Sequence, residues 1–187
     1  MQIVMSPAEI TLFEAFLRES RRFLEFGAGG STCLASQLAS EKVISVDSSS
    51  DWLDRVKANA VQQRLHLHFV DLGPTGDWGR PIGEDHKDRW HLYSTTVWHD
   101  VADAVSSDLI LIDGRFRVAC FAETIARARP GAIILFHDFA NRHDYHVVKA
   151  LAPMIATIEN LSAFVKDQRA DVVRAISMAE DYRLVWL

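Results

Sequence analysis

The sequence predicts an α/β fold: a doubly wound, mostly parallel sheet of seven strands with helices on both faces and an antiparallel last strand. Three observations predict it. Strand-like and helix-like segments alternate strictly over residues 22–71, a pattern that lays parallel strands side by side beneath crossing helices. Residues 108–112, DLILI, form an apolar run of the kind buried on both faces of a parallel sheet. Residues 155–159 and 163–166 flank Asn160, Leu161 and Ser162 and read as a closing hairpin.

The first element is a helix. Ser6 and Pro7 supply an N-cap and a first-turn proline, and Ile10, Leu12, Phe13, Phe16 and Leu17 recur at helical spacing to about Ser20. Residues 22–32, RFLEFGAGGST, then give a short strand, glycines at 27, 29 and 30, and a helix start. Glycines permit close backbone approaches, and a helix start offers N–H groups to an anionic moiety. A second strand over 42–46 ends at Asp47, a capped helix carries Trp52, Leu53 and Val56, and a third strand over 65–70 ends at Asp71.

Residues 72–100 break the rhythm. Gly73, Gly76, Gly79 and Gly83 with Pro74 and Pro81, set around Trp78, Trp90 and Trp98, leave no clear period, and a loop of this length is usually functional or disordered; its tryptophans argue against disorder. The alternation resumes with a short helix near 100–105, the strand ending at Asp113-Gly114, a helix over 118–129, and a strand over 132–136 followed by His137-Asp138. A helix over about 144–151, the hairpin and a helix over 169–183 complete one domain, 1–187, with the insertion at about 72–100.

Composition narrows the partners. The net charge is −5 and no basic run exceeds Arg21-Arg22, so the basic stripe of a nucleic-acid binder is missing. Cys33 and Cys120 sit in apolar helical segments, as packed thiols do. The opening lacks signal-peptide character and no apolar run reaches spanning length, so a cytoplasmic location without a membrane partner is expected.

Ligands of such sheets sit outside the carboxyl ends of the strands, where the glycine turn, Asp47, Asp71, Asp113 and His137-Asp138 all fall. Asp47 lies 20 residues beyond Gly27, the distance at which an acid meets the ribose of an adenosine cofactor. Thr32 occupies the third-glycine position of a dinucleotide fingerprint, which weakens a nicotinamide reading, and no lysine follows for a P-loop.

Taken together, Glu25-x-Gly27-x-Gly29-Gly30-Ser31, Asp47, Asp71, DLILIDG at 108–114 and RPGAIILFHD at 129–138 resemble the class I S-adenosylmethionine-dependent methyltransferases over nearly the whole chain. The resemblance implies S-adenosylmethionine as cofactor. Gly27, Ala28 and Gly29 would lie along its methionine and ribose, Asp47 would hold the ribose hydroxyls, and Val70, Asp71 and Leu72 would flank adenine. Glu25 would order the glycine turn or meet the methionine ammonium through water, and Asp113 would face the methionine and the open substrate side.

Transfer to a hydroxyl needs a base or a metal, which singles out Asp113, His137 and Asp138 as catalytic. Metal-dependent O-methyltransferases of the superfamily carry an Asp-Asn pair after the fifth strand; here Phe139 follows Asp138, and no metal is assigned. A related group has His and Tyr after the fourth-strand Asp-Gly, where this chain has Arg115, Phe116 and Arg117. Arg115 and Arg117 are suited to an anionic substrate or to solvent. Trp78 and Trp90, with Tyr93 and Trp98, are expected to enclose a small-molecule acceptor or to anchor the loop and form a homodimer surface. The expected activity is O-methylation of a small molecule, with a non-catalytic binding or regulatory role and a nicotinamide oxidoreductase as alternatives.

Overall fold

The computed structural model describes residues 1–186. Seven strands form one sheet: β1 (Arg22–Phe26), β2 (Lys42–Asp47), β3 (Leu65–Phe69), β4 (Leu109–Ile112), β5 (Ile133–Phe136), β6 (Met154–Ile158) and β7 (Leu161–Val165). Their order is β3-β2-β1-β4-β5-β7-β6. The first five are parallel, and β7 pairs antiparallel with both β5 and β6. This antiparallel β7 departs from the 3-2-1-4-5-6 order of dinucleotide-binding sheets.

Strand β1 shows why the sheet is buried on both faces. Phe23 packs with Phe13, Leu17, Val43, Leu109 and Leu111, beneath helices α1 (Pro7–Glu19) and α2 (Gly30–Leu38). Its neighbours Leu24 and Phe26 point the other way, into a larger cluster with Ile110, Ile112, Phe121 and Phe136. Helices α6 (Arg117–Arg127) and α7 (Val172–Tyr182) cover that second face.

Helix α1 begins where its sequence says it should. Ser6 and Glu9 form a reciprocal capping box, with Ser6 N donating to Glu9 Oε2 at 2.8 Å and Glu9 N to Ser6 Oγ at 3.2 Å. The second oxygen of Glu9 accepts from Asn160 N at 2.8 Å, so one buried carboxylate also ties α1 to the β6–β7 turn. Ser49 caps α3 (Ser50–Asn59) through Trp52 N.

Three expectations are corrected. The segment 144–151 is a 3-10 helix, His143–Ala150. The expected helix at 100–105 is displaced: α5 (Val97–Asp100) ends where it was to begin, and a 3-10 turn spans Ala104–Ser106. The insertion also contains structure, with 3-10 turns at Asp77–Gly79 and Lys87–Arg89 followed by α4 (Leu92–Thr95). Helices of a single turn cannot show a repeat, so hydrophobic periodicity is blind to them.

Candidate active site at the strand ends

The β1 turn and the β4 turn touch. Gly27 has φ +102°, and a Cβ there would lie 2.6 Å from Gly114 Cα; a Cβ on Gly114 would lie 2.1 Å from the Tyr93 hydroxyl. Only glycine fits either position. Gly27 N donates to Val46 O at 2.9 Å, Ala28 N to Asp47 Oδ2 at 3.1 Å, and Gly29 N to Thr32 Oγ1 at 2.8 Å. The turn is therefore fastened to β2 rather than held open. Residues 30–32 of the helix start are buried, and a Cβ on Gly30 would meet the Gln2 carbonyl oxygen at 2.4 Å, so the N-terminal segment covers the place where an anionic moiety was expected.

Glu25 lies beneath this turn and is fully buried. Ser31 Oγ and Ser45 Oγ each donate to it at 2.7 Å, and Thr32 Oγ1 donates as well. Burial pushes its carboxyl up to about 7, against the opposing pull of the three hydroxyls. Of the two roles expected for Glu25, this geometry performs the first: it orders the turn from the interior.

Asp47 stands at the end of β2 with Oδ2 on Ala28 N and Oδ1 on Ser49 N, the latter at 3.0 Å. Burial raises its carboxyl to about 6, opposed by backbone N–H groups and the Arg115 charge. A carboxylate has about four acceptor sites, so two backbone donors leave capacity for ribose hydroxyls. Trp52 Nε1 donates to Ala28 O at 2.7 Å, a brace on the turn that the sequence reading missed because Trp52 looks like an ordinary helix-face residue. Asp71 is exposed; it accepts from Gly73 N at 2.9 Å and Arg89 Nη1 at 2.8 Å. Leu72, expected beside adenine, is instead 1% exposed in the main core with Val70.

The other side of the cleft holds a buried ion network. His137 Nδ1 lies 2.9 Å from Asp113 Oδ1 and 4.0 Å from Asp138 Oδ1, and its Nε2 lies 3.6 Å from Glu9 Oε2. Ligand atoms of Asp113, His137 and Asp138 all fall within 4.8 Å of one another. Between the two aspartates sits Arg117, whose side chain is 3% exposed; it reaches Asp113 Oδ1 and Asp138 Oδ2, each at 3.2 Å. It also donates to the backbone oxygens of Gly114, Asp113 and His137. A guanidinium thus stands between these two acids.

The network sets the charges. Burial alone would lower the His137 pKa, but the Asp113 hydrogen bond and the charges of Asp113 and Asp138 raise it above its ordinary value. Burial would raise Asp113; the His137 hydrogen bond and the charges of Arg117, His137 and Arg115 outweigh it and lower the carboxyl. Asp138 has φ +59°, in the left-handed region that Asp enters more readily than most side chains.

The insertion lies over the end of β2. A methyl on Gly79 would lie 3.2 Å from Ser48 Oγ and 4.0 Å from Arg115 Cγ, so the 77–80 turn rests beside Asp47. Its tip, Trp78, is 73% exposed with φ +60°. Trp90 does not line the cleft as expected: it is 3% exposed and packs on Phe116. Tyr93 and Trp98 are likewise buried, each against Phe26. Three of the four aromatic residues therefore anchor the insertion, and only Trp78 remains available above it. Arg115 is buried beneath the roof.

No protein-family model matches the sequence, and no curated protein matches it. Solved structures do. A methyltransferase-like protein from Silicibacter pomeroyi is 29% identical, with 97% of each chain covered and a TM-score of 0.84. The O-methyltransferase TomG from Streptomyces achromogenes, involved in tomaymycin synthesis and solved with S-adenosylmethionine, is 15% identical over 88% of this chain and 82% of its own (TM-score 0.58). An RNA methyltransferase from Salinibacter ruber, solved with S-adenosyl-L-homocysteine, is 12% identical over 89% and 95% (TM-score 0.54). With the strand order, the antiparallel β7 and the acids at the ends of β2 and β4, these likenesses show that the chain has the class I S-adenosylmethionine-dependent methyltransferase fold.

Proposed function

We propose that the protein transfers a methyl group from S-adenosylmethionine to a hydroxyl of a small-molecule acceptor. The observation that carries the reading is the juxtaposition of Asp47, with free acceptor capacity at the end of β2, and the Asp113–His137 pair across the Gly27–Gly114 contact. The cofactor supplies an already activated methyl group, so the protein's share is positioning, exclusion of water and removal of one proton.

Asp47 takes the ribose hydroxyls, and the turn of Gly27, Ala28 and Gly29, whose N–H groups are spent on Val46, Asp47 and Thr32, gives the methionine part a close packing surface. Asp71 stands at the adenine end, although its hydrogen bonds to Gly73 and Arg89 give it a turn-forming role there as well. Asp113 faces the methionine and the acceptor. His137 is the proton acceptor: with Nδ1 on Asp113, the proton goes to Nε2, whose 3.6 Å distance from Glu9 is too long for a committed hydrogen bond. Arg117 and Asp138 hold this pair in place. Trp78, at the roof, closes over the acceptor.

One observation favours a second reading, binding without transfer: His137 is only 8% exposed. Calorimetry with S-adenosylhomocysteine separates the possibilities. Wild type should bind and Asp47→Ala should lose affinity by tenfold or more; undiminished binding by the variant would sink the cofactor assignment. Binding with no methylated product across a broad screen of hydroxyl acceptors, and no loss on His137→Gln, would favour the second reading.

A further inference from the structure

Arg115 is the outlier in this cleft. Its side chain is more than nine-tenths buried, its Nε is shielded from solvent without a partner, and among the described residues its guanidinium makes no hydrogen bond and no ion pair. A guanidinium carries five N–H donors and cannot shed its charge. Leaving its buried Nε–H unpaired costs free energy that a bound acceptor would recover. The neighbouring Arg117 shows the contrast, with three backbone oxygens and two carboxylates around it.

The surroundings give the direction of the unused donors. Arg115 is near enough to Asp47 and Asp113 for its charge to stabilise both carboxylates, and its stem passes under Gly79 of the roof. A Cβ on the preceding Gly114 would lie 2.1 Å from the Tyr93 hydroxyl, so the backbone leading into Arg115 is packed against that ring. Arg80, exposed, follows Gly79 in the same roof turn.

We propose that Arg115, assisted by Arg80, recognises an anionic oxygen group, a carboxylate or phosphate, on the methyl acceptor beneath the 77–80 turn. This rests on the methyl-transfer reading above and names its substrate class. Guanidinium forks match both groups through paired N–H···O bonds, and the incoming anion would satisfy the buried Nε.

The test is calorimetry with inorganic phosphate as the probe, on the full chain with and without S-adenosylhomocysteine. Wild type should bind phosphate, Arg115→Gln should weaken it by about tenfold or more, and Arg115→Lys should retain part of the affinity. Arg80→Gln, an exposed substitution that leaves the core untouched, should weaken it by about twofold to threefold. No phosphate binding by wild type, or equal binding by wild type and Arg115→Gln, overturns the proposal. So does a tenfold loss of S-adenosylhomocysteine affinity in Arg115→Gln with 5′-methylthioadenosine affinity unchanged, because the guanidinium would then hold the cofactor's own carboxylate. Failure of wild type to bind S-adenosylhomocysteine would instead strike the methyl-transfer reading, while the phosphate result still decides whether Arg115 is an anion site.

Discussion

Two arginines, one residue apart in sequence, divide the cleft. On the β4–β5 side Arg117 is enclosed by Asp113, Asp138 and three backbone oxygens, and every charge there has a partner within the fold. On the insertion side Arg115, 8% exposed against 3% for Arg117, has none among the described residues. The same residue type is structural in one place and poised for a ligand in the other. What differs is whether the protein itself supplies the anion.

The largest expected effect breaks that comparison most directly. Replacing Arg117 with methionine leaves Asp113 and Asp138 facing each other without their cation, which should cost about 3–5 kcal/mol. Arg115→Met removes an unpaired buried charge and keeps the packing of the stem, so stability should change by less than about 1 kcal/mol or rise. Urea denaturation of both variants checks this. Equal losses would mean that Arg115 is a structural cation after all.

Next in size is a pH effect confined to the interior beneath the glycine turn. The folded-state pKa of Glu25, about 7, lies above its ordinary value of 4.5. The folded protein therefore holds that proton more tightly than the unfolded chain. Its contribution to stability is complete below pH 4.5 and is lost as pH rises to about 7, amounting to about 3 kcal/mol at about 1.4 kcal/mol per pH unit. Asp47 acts in the same direction between 3.8 and about 6. Glu25→Gln mimics the protonated carboxyl, so its stability should fall less over pH 4.5–7 than that of wild type. Parallel curves for the two proteins would show that Glu25 does not titrate there.

How much of this was readable beforehand follows the same division. The sheet was legible because each parallel strand ends in an acid or a glycine turn and its apolar run is unbroken, as at 108–112. Asp47, Asp113 and Asp138 were legible for that reason too. Arg117 was not: beside Arg115 at a helix start it read as an anion-binding or solvated residue, and nothing in the sequence marked it as the bridge between Asp113 and Asp138. Trp90 and Leu72 were misplaced because a loop-bound aromatic or aliphatic residue carries no sign of which way it points. Tryptophan served as an anchor here, since burying its large surface stabilises more than displaying it.

A smaller effect concerns catalysis on the satisfied side. If His137 removes the acceptor proton, kcat/KM should rise with pH through a pKa above 6.5, since Asp113 and Asp138 favour the charged imidazole. Asp113→Asn removes the leading partner and should move that inflection to lower pH while lowering kcat. A profile that keeps its inflection in Asp113→Asn would assign the proton to another group.

The smallest expected effect tests the open side. Trp78 is exposed, so Trp78→Phe should alter stability by no more than about 0.5 kcal/mol. Yet its turn rests on Ser48, beside the carboxylate assigned to the ribose, and its own backbone is held at φ +60°. A ligand entering next to Asp47 has to displace or reorder that turn, and the indole at its tip should report the movement. Tryptophan emission should therefore change when S-adenosylhomocysteine is added to wild type, and most of the change should vanish in Trp78→Phe at unaltered affinity. An identical spectral change in the variant would place the response at Trp52, whose indole N–H braces Ala28, and the roof would then be a fixed wall rather than the moving part of the cleft.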